Sequence, residues 1–312
     1  MLLDSLSFSV QVCLPIAIII FLGALLKRIG WINDEFAKVG SRLVFTVTLP
    51  CLLFINIAQT DLTDHFPVFL TAVAAILTTL FFLLCHYLAY YIHPSESRGA
   101  FVQGACRGNM AIVGLAFCVN AFGDGILPLA SMYLAAIVII YNVYSILTLY
   151  YHRDTAPSLR MVSKSVFTNP LAIAIILGII MSWLPFRLPV LMVETGSYLA
   201  SMTLPLALLC AGASIRLQEF RSSPWLYLAI LSKIILIPLS ATIIAYLVGI
   251  RGESLGVLYL MMAAPTAAAA YPMTRSIGGD YHLTAAIIVG STVLSMLTTT
   301  LGLFLLRYFA WI

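Results

Sequence analysis

Apolar stretches long enough to cross a bilayer follow one another along almost the whole chain. A transmembrane helix needs about 20 predominantly apolar residues, and backbone groups surrounded by lipid must be satisfied inside their own segment, which favours helices. Ten such stretches occur, at residues 9–29, 34–58, 66–92, 98–121, 127–151, 166–185, 190–215, 223–249, 252–277 and 282–309. The sequence therefore predicts an all-α membrane protein with ten transmembrane helices, numbered as spans 1 to 10.

The composition excludes a soluble fold. Hydrophobic residues make up 62% of the chain and charged residues 9%, whereas a soluble domain carries about 25% charged residues. The first apolar stretch is too long for a signal peptide, and Lys27 and Arg28 follow it instead of preceding it, so we expect a retained helix. The six cysteines lie in apolar segments without metal-ligand spacing, and the net charge of +4 comes without a basic, aromatic-rich patch. We therefore expect no metal, no cofactor and no nucleic-acid partner.

The chain also contains an internal duplication. Three motifs recur at a nearly constant spacing: Pro15–Gly23 as Pro170–Gly178, Thr48-Leu49-Pro50 as Thr203-Leu204-Pro205, and Gly123-Asp124 as Gly279-Asp280. They divide the chain into a first five-helix repeat, residues 1–155, and a second, residues 156–312. Because each repeat has an odd number of spans, the second must enter the membrane from the opposite side, so the repeats are predicted to be inverted. Inverted repeats are typical of secondary transporters.

The lysine and arginine residues outside the spans set the expected orientation, because cytoplasmic loops are enriched in them. One side of the membrane carries only Arg187, Arg251 and Arg307. The opposite side carries the larger set: Lys27, Arg28, Lys38, Arg42, Arg98, Arg153, Arg160, Lys164, Arg216, Arg221 and Arg275. The richer side is predicted to be cytoplasmic, which places both termini on the outer side.

Spans 4 and 9 are predicted to be broken near the middle of the bilayer. Gly108 is a weak helix former, and Asn109, followed by Met110, suits the N-cap of a helix that restarts. In span 9, Pro265 has no amide hydrogen to donate and is followed by Thr266. A broken helix presents the partial positive charge of its second half to an anion, and paired interruptions in two repeats indicate a binding site. Alternatively, glycine and proline only kink these helices.

Arg107 and Lys233 are cations within predicted spans, where a charge is costly and usually functional. The guanidinium of Arg107 could clamp a carboxylate with two hydrogen bonds, or reach the cytoplasmic surface if span 4 sits lower in the membrane. For Lys233 several roles stay open: it contacts the substrate, replaces a bound cation by neutralising carbonyl dipoles, takes part in proton coupling, or holds the broken helices together.

Weaker candidates for lining a cavity are Asn56, Asn142 and Tyr271, since polar side chains also join membrane helices by hydrogen bonds. The chain contains no nucleophile–base pair, HExxH motif, Walker loop or GxGxxG motif. An enzyme is therefore not expected.

The segment Arg107 to Leu115, together with Thr48-Leu49-Pro50 and Lys233 to Pro238, resembles the auxin efflux carrier family, whose bacterial members include malate and malonate transporters. The resemblance covers essentially the whole chain as five plus five helices. It implies that spans 4 and 9 cross, that spans 1, 2, 6 and 7 form a scaffold and a homodimer interface, and that spans 3–5 and 8–10 move as a transport bundle. It also implies that Asn109 contributes to the substrate site. Plant members carry prolines at the fourth-span crossing where Gly108 and Met110 flank Asn109, so auxin itself is a poor match.

The expected function is secondary transport of a small organic anion by alternating access of an elevator or rocking type. The anion is expected to be a mono- or dicarboxylate that is either malate- or malonate-like or auxin-like. The expected location is a bacterial inner membrane, with lipid and the anion as partners. Two alternatives remain: a sodium-coupled symporter of the bile-acid type, and a membrane sensor that transports nothing. No acidic residue lies near either break, which weighs against sodium coupling. Proton coupling stays possible through a buried lysine such as Lys233.

Overall fold

Helices make up most of the described chain. The computed structural model describes residues 2–60, 67–153, 158, 160, 162–163, 167–184, 188–215 and 223–312. Seven helices in this part are long and apolar enough to cross a membrane: α1 Leu2–Arg28, α2 Asp34–Ala58, α3 Val68–Ala89, α6 Asp124–Tyr151, α8 Val190–Ala213, α9 Pro224–Leu247 and α12 Tyr281–Tyr308. The shorter helices that matter below are α4 Glu96–Cys106, α5 Met110–Phe122, α7 Pro170–Trp183, α10 Gly252–Ala263 and α11 Ala270–Ile277.

This architecture confirms the prediction of an all-α membrane protein. Within the described ranges, the extended backbone pairing is limited to one isolated antiparallel bridge. Spans 4 and 9 each consist of two helices, and α7, with 14 residues, covers only part of span 6, so the count of ten transmembrane helices stays a prediction. Several charges used to predict the orientation lie outside the described residues: Lys164, Arg187, Arg216 and Arg221.

The two predicted repeats pack against each other through glycines. A Cβ atom on Gly23 of α1 would overlap the carbonyl oxygen of Leu209 on α8. Gly178 of α7, the repeat counterpart of Gly23, lies against Ile57 of α2, where its Cβ atom would come 3.0 Å from that of Ile57. Small residues allow the backbones of membrane helices to approach closely. The first helix of each predicted repeat therefore packs on the second helix of the other.

Prolines shape two of the long helices. Pro50 and Pro238 have no backbone N–H to donate, and each closely follows a π-helical turn, Val44–Thr48 in α2 and Ser232–Leu236 in α9. Such turns insert one extra residue into a helix and are frequent at functional positions. Lys233 belongs to the second of these turns.

The interrupted helices form the centre of the molecule. All residues from 99 to 118 and from 255 to 267 are buried, so α4, α5 and α10 are enclosed along these stretches. The long helices around them expose large apolar side chains, such as Phe21, Ile76 and Leu297. An apolar outer surface around a centre with polar side chains suits a protein that is solvated by lipid.

Candidate functional site at a helix crossing

Two breaks in the chain face each other at the centre of the fold. The first separates α4 from α5 around Asn109, and the second separates α10 from α11 around Pro265. The Asn109 N–H donates to the Pro265 carbonyl oxygen over 2.7 Å. The Ala267 N–H donates to the Arg107 carbonyl oxygen over 3.0 Å, so the two short segments pair in antiparallel fashion. The interruptions lie where the sequence predicts them, and they bind each other directly through the backbone.

Gly108 lies at the closest approach of the two breaks. It pairs with Thr266 in the antiparallel bridge. A Cβ atom at Gly108 would lie 3.1 Å from the Lys233 ammonium nitrogen and 3.4 Å from the Ala264 carbonyl oxygen. The first distance is shorter than most contacts of a Cβ atom in a packed interior, and the second is an ordinary contact. The glycine is therefore needed for packing at the crossing as well as for interrupting the helix.

A cavity of about 170 Å³ lies beside the crossing. Its walls come from α2, α5, α6, α7 and the two breaks: Phe45, Arg107, Gly108, Asn109, Met110, Ala111, Val138, Tyr141, Asn142, Asn169, Leu171, Ala267 and Ala269. The structure thus brings Arg107, Gly108, Asn109 and Met110 together with Asn142, five residues proposed from the sequence. Residues of the first predicted repeat form most of this wall.

Asn109 offers the cavity an unpaired amide. Its side chain is buried, with 7% of the residue exposed, and no described residue hydrogen-bonds it. The residue occupies the N-cap position of α5, as predicted, but its side chain does not bond a helix amide. The N–H groups of Met110 and Ala111, in the first turn of α5, lack partners within the helix because they precede its first backbone bond. Several hydrogen-bond donors therefore remain available at one end of the cavity.

Arg107 adds a positive charge to the same wall. One guanidinium nitrogen, Nη2, donates to the Asn142 side-chain oxygen over 2.8 Å, and Nη1 lies 2.9 Å from the Met273 sulfur. These partners lie on α6 and α11, and Arg107 is buried, with 9% of the residue exposed. Among the described residues, no carboxylate pairs with Arg107. The wall of the cavity therefore carries a cation that no described anion neutralises.

Thr266 and Lys233, two further residues proposed from the sequence, lie outside the cavity wall and form hydrogen bonds at the crossing. The Thr266 hydroxyl donates to the Gly104 carbonyl oxygen over 2.7 Å, and its N–H donates to the Ser291 hydroxyl over 3.1 Å. Lys233 is fully buried, and its ammonium donates to the Met262 carbonyl oxygen over 2.7 Å. These groups are engaged within the protein, and they lie outside the cavity wall.

Asn56 and Tyr271 lie away from the cavity wall. The Asn56 amide donates to the Leu52 carbonyl oxygen of its own helix over 2.7 Å. The ring of Tyr271 packs edge-on against that of Tyr281, with 6.0 Å between the centroids. The structure therefore does not bring these two residues to the cavity.

Sequence reasoning missed Phe45, Tyr141 and Asn169. Asn169 directly precedes Pro170, and its side chain accepts the Leu171 N–H over 2.9 Å. That Asn-Pro pair is a helix-start signal, and it could have placed a polar side chain at this position. Phe45 and Tyr141 look like ordinary core aromatics in the sequence, and nothing local indicates that both line this cavity.

Comparison with known proteins places the chain among transporters. A family model described as membrane transport protein matches residues 8–303. The chain is 24% identical over 313 residues to an uncharacterized transporter of Methanocaldococcus jannaschii, covering 97% of this chain and 98% of that protein. It is 25% identical over 298 residues to an uncharacterized transporter of Methanothermobacter thermautotrophicus, covering 94% of this chain and 97% of that protein.

These matches and the apolar helices identify a multi-pass membrane transporter rather than an enzyme. The chain belongs to the membrane transport protein family, the auxin efflux carrier family that its crossing residues resemble.

Proposed function

We propose that this protein is a secondary transporter that carries a small organic anion in the cavity at the helix crossing. The observation that carries the proposal is the convergence of hydrogen-bond donors on one buried space. The donors are the Asn109 amide, the first backbone N–H groups of α5 and the Arg107 guanidinium. Helix N-termini attract anions, and a guanidinium can bind a carboxylate with two hydrogen bonds. A carboxylate is therefore the ligand that this chemistry favours.

The size of the cavity favours a short acid. Its volume of about 170 Å³ lies below the roughly 300–1,000 Å³ of pockets that hold drug-sized ligands. A mono- or dicarboxylate of a few carbon atoms, such as malate or malonate, suits this space better than an auxin-like aromatic acid. The described residues of the cavity wall include no Asp or Glu, so they offer no carboxylate for binding a coupling sodium ion.

The close contacts of two glycines support the grouping of spans 1, 2, 6 and 7 as a scaffold. The glycine contacts join α1 to α8 and α2 to α7, which are spans 1 with 7 and 2 with 6. The backbone bonds at the crossing join spans 4 and 9. Phe45 and Leu171 line the cavity from the scaffold, opposite Asn109 and Asn142 from the bundle. Sliding or rocking of the bundle against the scaffold would then open the cavity to each side in turn.

The proposal includes the wider architecture predicted from the sequence. It comprises ten spans in two inverted repeats, both termini on the outer side of a bacterial inner membrane, a homodimer through the scaffold, and proton coupling rather than sodium coupling. Gly23 and Gly178 occupy equivalent positions in the two predicted repeats, and each packs closely on a helix of the other repeat, which supports the duplication.

Uptake by purified protein in liposomes tests the proposed function. A thermal-shift screen against mono- and dicarboxylates first selects the acid, since a bound ligand stabilises the folded state. Wild-type protein is then expected to accumulate the labelled acid with saturable kinetics, and Asn109→Ala is expected to abolish uptake without unfolding the protein.

Asn56→Ala is the matched control, because that amide bonds to its own helix and lies outside the cavity wall. The control is expected to keep uptake within about twofold of wild type. Full uptake by Asn109→Ala would contradict the placement of the site, and no saturable uptake of any acid by wild type would contradict the function.

A further inference from the structure

Lys233 places an ammonium group against the end of a broken helix. Its side chain extends from the π-helical turn Ser232–Leu236 of α9, and the residue is completely buried. The nitrogen donates to the Met262 carbonyl oxygen over 2.7 Å. Met262 is the penultimate residue of α10, which ends at Ala263. The ammonium therefore meets the C-terminal, partially negative end of α10.

The usual backbone caps are missing at this helix end. Ala264 adopts φ −54° and ψ 136°, and none of the described backbone bonds runs from its N–H to the α10 carbonyls. Pro265 has no N–H, and the Thr266 N–H donates to the Ser291 hydroxyl instead. The last carbonyl groups of a helix need partners from outside the helix. Lys233 supplies that partner to the end of α10.

The same ammonium also faces the other break. A Cβ atom at Gly108 would lie 3.1 Å from the Lys233 nitrogen and 3.4 Å from the Ala264 carbonyl oxygen. The nitrogen thus lies between the unwound segment after α4 and the C-terminal end of α10. In transporters with discontinuous helices, unwound carbonyl groups and half-helix C-termini are where a coupling sodium ion binds.

We propose that the Lys233 ammonium is a tethered cation that occupies the place of a mobile monovalent cation at the crossing. Building on the proposed function, it makes anion transport independent of sodium. The lysine ammonium is covalently tethered to α9, so it stays at the helix end when α9 moves with the transport bundle. The oxygen atoms that would bind sodium are then already neutralised when the anion arrives.

Replacing Lys233 tests this inference through thermal unfolding in detergent. Lys233→Ala removes the charge and leaves space beside the carbonyl groups, so NaCl is expected to raise its unfolding midpoint by several degrees relative to choline chloride at equal ionic strength. Wild type is expected to show no difference between the two salts. Lys233→Met fills the space with an apolar chain and is expected to be insensitive to sodium. Absence of a sodium response in Lys233→Ala would overturn the inference.

Uptake gives a second readout. Wild type is expected to transport equally in NaCl and in choline chloride, whereas Lys233→Ala is expected to lose uptake in choline chloride and to regain at least fivefold in NaCl. Sodium-dependent uptake by wild type would contradict the proposal. Lys233→Ser is the second variant if Lys233→Ala does not fold, and failure of both to fold in NaCl counts against the inference. The thermal measurement needs no substrate, so it decides this point separately from anion transport.

Discussion

The Arg107 guanidinium donates a 2.8 Å hydrogen bond to the side-chain oxygen of Asn142. Arg107 lies in the break between α4 and α5, and Asn142 lies on α6. The amide oxygen is neutral, so it fixes the direction of the guanidinium without cancelling its charge. A carboxylate at this position would form a charge-assisted pair instead. This relationship keeps a positive charge available to the cavity.

Asn142→Asp is therefore expected to weaken anion uptake at low substrate concentration by at least tenfold, which corresponds to about 1.4 kcal/mol. The new carboxylate would pair with Arg107 and compete with the carboxylate of the substrate. Uptake measured over a range of substrate concentrations checks this. Asn142→Ser is the control, because it removes the amide without adding charge and is expected to lose less. Equal losses in the two variants would show that charge is not the cause.

Gly108→Ala is expected to reduce uptake severalfold and to cost about 1–3 kcal/mol of stability, the usual range for overpacking a core. The added methyl group would come 3.1 Å from the Lys233 ammonium nitrogen, which would have to shift, and would fill the remaining space at 3.4 Å from the Ala264 carbonyl oxygen. Gly125→Ala is the control, since no atom lies within 4 Å of its Cβ position. If both variants behave like wild type, the close packing at the crossing has no role in transport.

Replacing three glycines by alanine is expected to lower stability by different amounts. Gly212 and Gly178 lie in the close contacts between scaffold helices, and Gly125 has open space around it. At Gly212 an added Cβ atom would overlap the Ile20 carbonyl oxygen, a backbone atom that cannot move alone, so Gly212→Ala should lower the unfolding midpoint most. Gly178→Ala would meet the Ile57 side chain at 3.0 Å and should cost less. Gly125→Ala should cost least. The unfolding midpoints of the three variants, measured in detergent, give the order of their stabilities. If Gly212→Ala is not the least stable, the close contact between α1 and α8 is contradicted.

Membrane-impermeant thiol labelling tests the predicted orientation. The native cysteines are first replaced. Single cysteines are then introduced at Trp31, which follows α1 and is 79% exposed, and at Asp124, the first residue of α6. Trp31→Cys is expected to react only after the membrane is opened, because that loop is predicted to be cytoplasmic. Asp124→Cys is expected to react in intact cells. Labelling of both residues from the same side would contradict the predicted arrangement of spans.

The sequence indicated the breaks because their cause is local. Gly108 cannot support a helix well, and Pro265 cannot donate a backbone hydrogen bond, so the interruptions follow from the residues themselves. The apolar runs are likewise a local property, because a helix surrounded by lipid needs apolar side chains. The class of all-α membrane protein could therefore be predicted correctly. The length of α7 and the early start of α1 at Leu2 differ from the predicted spans, because apolar composition does not define helix ends.

The composition of the cavity wall was only partly predictable. Arg107 and Asn142 were separate candidates, and their hydrogen bond joins residues on different helices. The sequence did not indicate that the Asn109 side chain would lack a partner among the described residues, because asparagine at an N-cap usually bonds a helix amide. Lys233 was recognised as an unusual buried cation, but its partner, the Met262 carbonyl oxygen, became evident only from the way α9 packs on α10. Hydrogen-bonded pairs of this kind depend on how distant helices pack, and a single sequence contains no direct information on that packing.

The location of a bound acid tests the central claim most directly. A structure determined with the carboxylate that most stabilises the protein is expected to show its carboxyl oxygens about 2.7–3.2 Å from the Asn109 side-chain nitrogen and the Arg107 guanidinium. Density for the acid at another place, with the crossing cavity empty at saturating concentration, would contradict the account.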